Sequence, residues 1–254
     1  MKTTSENNEL RLYNDLAWLW PVISPPDEYL EETGTFSKMI KEHCKIESKT
    51  LLHLGCGGGH HDYGFKQHFE VTGLDISDSM LKLAAKLNPE VTYHKDDMRT
   101  ARLDKTFDAV TTIDSINYML SEKELREVFQ TAFTHLNPGG VFLTLVEYYT
   151  GQFTQHSVTS SVHVHDGIEV TCIENDYDPD PRDTTFETTY IYLIRRKGEL
   201  EILTDRHLSG IFKLETWRKL LQKMGFQVIE VEFKPPAGAQ KEYYPIFICN
   251  KPLR

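Results

Sequence analysis

The chain has 254 residues, of which 39% are hydrophobic and 26% are charged, and its formal net charge is −10. This acidic balance argues against a nucleic-acid substrate, and no apolar run approaches the roughly 20 residues of a membrane span. A chain of this length buries roughly 70–75% of its unfolded surface without disulfide staples. The four scattered cysteines form no CxxC pair, which argues against a zinc site and favours a reducing, cytoplasmic compartment. The polar residues 1–9 carry no secretory signal pattern.

Residues 1–46 are predicted to form a helical cap at the N-terminus. Leucine and aromatic side chains recur at roughly helical spacing over residues 8–20, and three prolines then break the chain. A second helix is predicted from Asp27 to about Cys44, with Asp27 as its N-cap.

Short apolar runs alternate with helical segments from residue 50 to residue 146. This alternation is typical of βαβ units and of a mostly parallel sheet with helices on both faces. The predicted strands are Thr50–Leu54, Val71–Ile76, Val91–His94, Phe107–Ile113 and Val141–Val146. The predicted helices are Asp78–Leu87 and Ser121–His135, and the second ends at the turn Asn137-Pro138-Gly139-Gly140.

A different pattern follows in residues 151–212. This stretch is rich in Thr, Val, Ile and Tyr with local alternation, and it shows no helical periodicity. It predicts an antiparallel β insertion, with a turn at residues 178–181. The last predicted elements are a helix over Leu214–Met224 that stops at Gly225, and the strands Phe226–Phe233 and Tyr244–Cys249.

The first predicted strand runs directly into the turn Gly55-Cys56-Gly57-Gly58-Gly59. A strand, a glycine-rich turn and a helix form a cradle for a nucleoside-bearing ligand, because glycine lets the ligand touch the backbone. Asp75 ends the next strand, 20 residues after Gly55, where a carboxylate can accept both ribose hydroxyls. A dinucleotide site needs a third glycine where His60 stands, which disfavours nicotinamide cofactors. Two alternatives stay open: a plain tight turn, and an N-cap role for Asp75.

Together these motifs resemble the class I S-adenosylmethionine-dependent methyltransferases. The resemblance runs from about residue 51 to residue 146 and resumes near Leu214. It includes Asp96-Asp97-Met98-Arg99, residues 107–115 and the turn at residues 136–140. It implies one Rossmann-like domain over residues 1–254, with a seven-stranded sheet whose last strand is antiparallel. The cofactor-binding residues that it implies are Tyr13, His53, Gly55, Cys56, Gly57, Gly59, Asp75, Ile76, Asp97, Met98 and Asp114.

Individual roles follow from the same resemblance. Asp97 takes the adenine amino group, Met98 packs on the ring, and an N-terminal segment that includes Tyr13 closes over the cofactor. Many members carry Asp or Glu where this chain has His53, which brings no charge when it is neutral. Either backbone carbonyls and Asp114 hold the cofactor's amino group instead, or cofactor binding is weaker.

The β insertion resembles that of small-molecule N-methyltransferases, those of amino sugars more closely than the glycine type. This implies that residues 151–212 form a wall or lid of the acceptor pocket and that the acceptor is a small-molecule amine. Amino-sugar enzymes tend to carry a histidine near the position of Met119. The Asp-Ser-x-Asn-Tyr pattern at residues 114–118 is instead more typical of methyltransferases of unassigned substrate.

Asp114, Tyr118 and His207 are the candidate catalytic residues, each expected to face the acceptor. Methyl transfer to an amine needs mainly placement of the acceptor atom about 3–3.5 Å from the methyl carbon, so no obvious base is required. The alternative roles are a core residue for Tyr118 and a satisfied strand histidine for His207.

No metal site is predicted. The adjacent residues 60–62 are expected to form a solvated helix start, because neighbours on a helix do not face one way. His163 and His165 share a strand face but lack a third ligand. The remaining alternatives are a module that binds S-adenosylmethionine or S-adenosylhomocysteine without catalysis, an O- or C-methyltransferase, and a nicotinamide-dependent oxidoreductase. The oligomeric state is open, with a homodimer as one option.

Overall fold

The computed structural model describes residues 10–235 and 242–253, so the predicted absence of a signal pattern in residues 1–9 lies outside the described residues. Residues 10–23 form short turns rather than the expected helical stretch. They consist of the 3₁₀ turns Arg11–Tyr13 and Ala17–Leu19, followed by helix α1, Trp20–Ile23. The first turn ends at Asn14, whose backbone is far from helical, at φ −123° and ψ −104°.

The predicted N-cap at Asp27 is wrong. Asp27 lies inside a 3₁₀ turn, Pro26–Tyr29, which leads directly into helix α2, Leu30–His43. Pro26 stands at the start of this turn, and its ring fixes φ near the helical value. Helical geometry therefore begins one residue before Asp27, and no side chain caps α2.

The remaining elements follow the predicted alternation closely. The strands of the described residues are β1 Thr50–Leu54, β2 Glu70–Asp75, β3 Thr92–Lys95, β4 Phe107–Thr112, β5 Leu136–Leu145, β6 Ser157–His165, β7 Ile168–Tyr177, β8 Thr185–Arg196, β9 Glu199–Gly210, β10 Gln227–Phe233 and β11 Tyr244–Asn250. The helices after α2 are α3 His60–Phe65, α4 Asp78–Leu87, α5 Glu122–His135 and α6 Leu214–Lys223. A 3₁₀ turn, Ser115–Tyr118, follows β4.

Seven strands form the central sheet in the order β10-β11-β5-β4-β1-β2-β3. Strands β1 to β5 pair in parallel, and β11 runs antiparallel to β5 and β10, which confirms the expected Rossmann-like sheet. Successive side chains of a strand point to opposite faces, so Leu51 and Leu52 of β1 enter two different cores. One core packs under α2 and α3, and the other under α5 and α6.

The helix boundaries have clear local causes. The Ser77 hydroxyl accepts the Met80 N–H at the start of α4, and the Ser121 hydroxyl accepts the Glu124 N–H at the start of α5. Gly225, at φ 101°, ends α6 as predicted. Strand β5 begins earlier than expected, because Leu136 already pairs with Phe107 before the register shifts.

Strands β6 to β9 form a second, four-stranded antiparallel sheet, which confirms the β structure predicted for the insertion. Its inner face packs on the N-terminal segment. Leu12, Leu16 and Leu19 share one core with Tyr192 and Ile194 of β8. Within the described residues, no helix is long and apolar enough to cross a membrane.

Candidate active site

The glycine turn forms the floor of the site at the carboxyl end of β1. The N–H groups of Gly55 and Cys56 both donate to the carbonyl of Leu74, at 2.7 and 2.9 Å, which ties the turn to β2. Gly55 has φ 70°, and a Cβ there would stand 2.2 Å from the Ser115 hydroxyl oxygen. The turn therefore needs glycine both for its backbone conformation and for the close approach of the loop after β4.

Asp75, at the end of β2, faces this turn. Its two carboxylate oxygens accept the N–H groups of Gly57 and Ser77, each at 2.8 Å. Ser77, not Asp75, caps α4, so the alternative role of Asp75 as an N-cap is excluded. Burial raises the pKa of Asp75, and the two backbone N–H groups oppose that rise. A carboxylate has about four lone-pair sites, so this fixed group keeps acceptor capacity for two ribose hydroxyls.

A cavity of about 460 Å³ opens above the turn. Ligand pockets typically measure about 300–1,000 Å³, so this one has room for a nucleoside-sized molecule. The predicted site residues that line it are Tyr13, Gly55, Cys56, Gly57, Asp75, Ile76, Asp97, Met98, Asp114 and Tyr118. His53, Gly59 and His207 do not line it.

Asp97 and Met98, which follow β3, also line this cavity. Met98 is buried against the core, and Asp97 accepts both the N–H and the guanidinium of Arg99. This hydrogen bonding lowers the pKa of Asp97 against the opposing effect of burial. Arg99 also pairs with Glu124 at 2.6 Å. Sequence reasoning missed this ion-pair network, although Arg99 lies two residues from Asp97.

His53 has an acidic partner behind the cavity. Its Nδ1 lies 2.7 Å from the Asp62 carboxylate, and both side chains are almost fully buried. The Nε2 atom of His53 and the second oxygen of Asp62 have no hydrogen-bond partner among the described residues. An acidic side chain is therefore present beside position 53, supplied by Asp62 of α3, although neither residue lines the cavity.

The predicted solvated start of α3 is wrong, because His60, His61 and Asp62 are all buried. The N-terminal segment covers this end of the helix. Trp20 donates to His60 at 2.9 Å, and the Glu32 carboxylate lies 3.0 Å from His61.

Asp114 is exposed and lines the cavity, as does His61. Its backbone is unusual for a residue other than glycine, at φ 53° and ψ −53°. Such strain is typical of functional positions that the surrounding structure holds in place. Desolvation of the carboxyl by the surrounding protein raises the pKa of Asp114, and the nearby His61 opposes that rise.

A chain of hydrogen bonds leads away from the cavity at Tyr118. The hydroxyls of Tyr13 and Tyr118 lie 2.8 Å apart, and the Tyr118 hydroxyl lies 2.7 Å from Nδ1 of His207. Nε2 of His207 lies 2.9 Å from the Asp205 carboxylate. His207 is buried and does not line the cavity, so it reaches the cavity only through the hydroxyl of Tyr118.

Three carboxylates lie near this tyrosine cluster. Glu147 accepts the Asn117 amide at 2.7 Å, and Asp176 accepts the Thr188 hydroxyl at 2.7 Å. Glu174 stands opposite Tyr190 in the β7–β8 register, and burial together with Asp176 raises its pKa. Sequence reasoning missed this acidic wall, although Glu174 and Asp176 are two residues apart and therefore share a strand face.

The described residues contain no group of three or more His, Cys, Asp or Glu side chains that could hold a metal ion. The side chain of His165 is mostly exposed, and its ring lies 3.4 Å from the Asp166 carboxylate. His163 lies 2.9 Å from the Ser161 hydroxyl.

The sheet order, the glycine turn and the fixed Asp75 carboxylate define a class of protein, and sequence comparison agrees. Residues 51–140 match the family described as a methyltransferase domain. The chain therefore carries a methyltransferase domain over these residues, in the Rossmann-like fold of the S-adenosylmethionine-dependent methyltransferases.

The names of similar proteins give a narrower chemistry for those proteins. The chain is 27% identical over 210 residues to the dTDP-3-amino-3,4,6-trideoxy-alpha-D-glucopyranose N,N-dimethyltransferase of Streptomyces venezuelae, covering 82% of this chain and 87% of that protein. It is 26% identical over 212 residues to the dTDP-4-amino-2,3,4,6-tetradeoxy-D-glucose N,N-dimethyltransferase of Saccharopolyspora spinosa, covering 83% and 82%. The structure of Streptomyces venezuelae DesVI superimposes with a TM-score of 0.81 at 25% identity, over 97% of this chain and 99% of that one.

Proposed function

We propose that this enzyme methylates the amine of a small molecule, with an amino sugar as the leading acceptor class. The observation that carries the proposal is the acidic wall formed by Glu147, Glu174 and Asp176 beside Tyr118. Two relatives named for amino-sugar N,N-dimethylation, each matching over most of its length, support the same acceptor class.

Each part of the cofactor has a fitting group in the cavity. Asp75 is fixed to accept the ribose hydroxyls, and Met98 offers an apolar surface for the adenine beside Asp97. Asp114 is the carboxylate that holds the amino group of the methionine part, in place of the acidic residue that His53 replaces. The bound cofactor supplies an electrophilic methyl group on a sulfonium centre.

The acceptor enters between Tyr118 and the acidic wall. Carboxylates attract an ammonium ion, and in a partly dehydrated site this attraction is stronger than in water. Tyr13 and Tyr118 both line the cofactor cavity, and their rings meet edge to face with centroids 5.6 Å apart. The inner face of the β insertion thus serves as the substrate wall, with Tyr13 in the N-terminal segment that closes over the cofactor.

The proposed location of the enzyme is the cytoplasm, and its proposed partner is a small molecule. The four cysteines are free, which suits the reducing cytoplasm. The acidic surface favours a small-molecule partner over nucleic acid, and a homodimer remains an option for the assembly.

The test is a methylation assay with a panel of amine acceptors. Each amine is paired with a hydroxyl twin, the matched analogue in which a hydroxyl replaces the amine. We expect methylation of dTDP-3-amino-3,4,6-trideoxyglucose or of the free amino sugar, detected by mass spectrometry, and none of the hydroxyl twins. Glu174→Gln should raise the KM for the amine, whereas the exposed Glu169→Gln on the same strand should leave it unchanged. Methylation of the hydroxyl twins, or of no amine in the panel, would contradict the proposal.

A further inference from the structure

The hydrogen-bond chain from Tyr118 to Asp205 has a defined direction. Asp205 accepts the backbone N–H of Leu12 at 2.7 Å and lies 2.9 Å from Nε2 of His207. A carboxylate can only accept, so Nε2 must carry a proton. Neutral His207 then has an unprotonated Nδ1, which accepts the Tyr118 hydroxyl. This assignment follows from the hydrogen-bond network.

Both ends of this hydrogen-bond chain, Tyr118 and Asp205, are suited to proton movement. Tyr118 lines the cavity, whereas His207 and Asp205 are each only 1% exposed. Burial raises the pKa of Tyr118 well above its usual value, so its hydroxyl stays protonated. Burial alone would raise the pKa of Asp205, but hydrogen bonds from His207 and the backbone lower it, so Asp205 stays ionised.

An amine bound at the acidic wall has a proton to lose. Carboxylates stabilise the ammonium form and raise the pKa of the amine. An ammonium nitrogen has no free lone pair and cannot attack a methyl group. The carboxylates that attract the acceptor therefore also keep it protonated, so another group must accept its proton before methyl transfer.

We propose that Tyr118, His207 and Asp205 form a proton relay that deprotonates the bound ammonium before methyl transfer, an inference that rests on the proposed function. The ammonium gives a proton to the Tyr118 oxygen while the Tyr118 hydroxyl gives its own proton to Nδ1 of His207. The products are a neutral amine and an imidazolium paired with Asp205. The amine lone pair then forms the C–N bond as the C–S bond breaks, and the electron pair of that bond stays on sulfur. Tyr118 is the catalytic residue, and His207 and Asp205 are positioning residues that act through it.

The groups around His207 determine which of them can stabilise its protonated ring. Its ring packs against Tyr13, Tyr118 and Tyr190, with ring centroids 5.3, 5.8 and 4.6 Å away. On its own strand it meets the Asp205 carboxylate, and opposite it in β8 stands the uncharged Thr188. The imidazolium is therefore stabilised by one direct carboxylate partner within these contacts.

The direct test observes the proton without turnover. Protein labelled with ¹⁵N-histidine is saturated with S-adenosylhomocysteine and titrated with the amine that the wild-type enzyme methylates fastest in the acceptor panel. We expect one histidine to change from the neutral to the imidazolium signal, and this signal to be missing in His207→Asn. The change should not occur in Tyr118→Phe, which keeps the ring and its packing. A His207 that stays neutral with the amine bound would overturn the relay.

Kinetics supply the second readout. Asn keeps a hydrogen-bond acceptor near the position of Nδ1 but cannot carry the proton. His207→Asn should therefore lower kcat near neutral pH by about 100-fold, a typical contribution of general acid–base catalysis. Its rate should recover as the pH rises above the pKa of the acceptor amine. His165→Asn, at an exposed position on β6, should keep the wild-type profile.

The two proposals fail in distinguishable ways. If the wild-type enzyme methylates no amine of the panel, the proposed function is overturned and the relay with it. If the wild-type enzyme is active but His207→Asn loses the same factor at every pH, the relay alone is overturned. Thermal unfolding and cofactor affinity of each variant show that it is folded.

Discussion

Asp75 lines the cavity, and two backbone N–H groups, those of Gly57 and Ser77, hold its carboxylate in place. Hydrogen bonds to a charged acceptor contribute about 1.5–3 kcal/mol each. We therefore expect Asp75→Ala to weaken S-adenosylmethionine binding by tens- to hundreds-fold, measured by calorimetry. Asp78→Ala is the matched control, because Asp78 is exposed and pairs with Lys95 on the surface. Equal affinities of Asp75→Ala and the wild type would remove Asp75 from the site.

Asp114 links cofactor binding to stability. Desolvation of the carboxyl raises its pKa in the folded protein, so its ionised form is destabilising there. A carboxyl with a raised folded-state pKa lowers stability above that pKa, and this penalty disappears once the pH falls below the unfolded value of about 3.9. Asp114→Asn should raise the Tm near pH 7, with a gain that shrinks towards pH 4, and should weaken cofactor binding. A lower Tm at pH 7 would contradict this account.

The residues of the cofactor site differ in how far the sequence could predict them. Gly55 and Asp75 belong to a local motif at fixed spacing, so their placement at the cavity could be predicted from the sequence. The His53–Asp62 pair did not, because it needs α3 to be buried. That burial comes from a segment far away in the chain, through contacts such as His61 with Glu32.

At the scale of elements, β9 and the turn after β4 approach each other closely. A Cβ on Gly210 would lie 1.9 Å from the carbonyl oxygen of Met119. We expect Gly210→Ala to push back the turn that carries Tyr118, which lowers both the Tm and kcat. Gly34→Ala is the matched control, because a Cβ there meets nothing within 4 Å. Within α2 that change should stabilise the protein by about 0.5–1 kcal/mol, measured by chemical denaturation. A wild-type Tm and kcat for Gly210→Ala would contradict the close packing.

Most elements could be predicted because their causes are local. The caps Ser77 and Ser121 and the stop at Gly225 lie next to the helices they bound. The N-terminal turns were not predicted correctly. Their leucines do recur at helical spacing, but they pack on Tyr192 and Ile194 of the β insertion, and that tertiary contact overrides the periodicity.

For the whole molecule, the N-terminal segment joins the two sheets around the cavity. The Leu12 N–H donates to Asp205 of the insertion, and the Ser77 hydroxyl donates to the Tyr13 carbonyl. The N-terminal segment therefore contacts both the cofactor side, through Ser77, and the insertion that carries the proposed relay, through Asp205. The sequence predicted the β structure of the insertion but not which of its side chains face inward, because the register of β7 and β8 decides that.

The most direct test of the account is a single-turnover experiment. Enzyme in excess is loaded with methyl-labelled S-adenosylmethionine, mixed with the amino sugar that the acceptor panel identifies, and quenched over time. The account predicts that the label moves to the amine nitrogen, with one S-adenosylhomocysteine formed for each methyl transferred. If the label stays with the bound cofactor while the amine saturates the site, the protein binds S-adenosylmethionine without transferring its methyl group, and the central claim is contradicted.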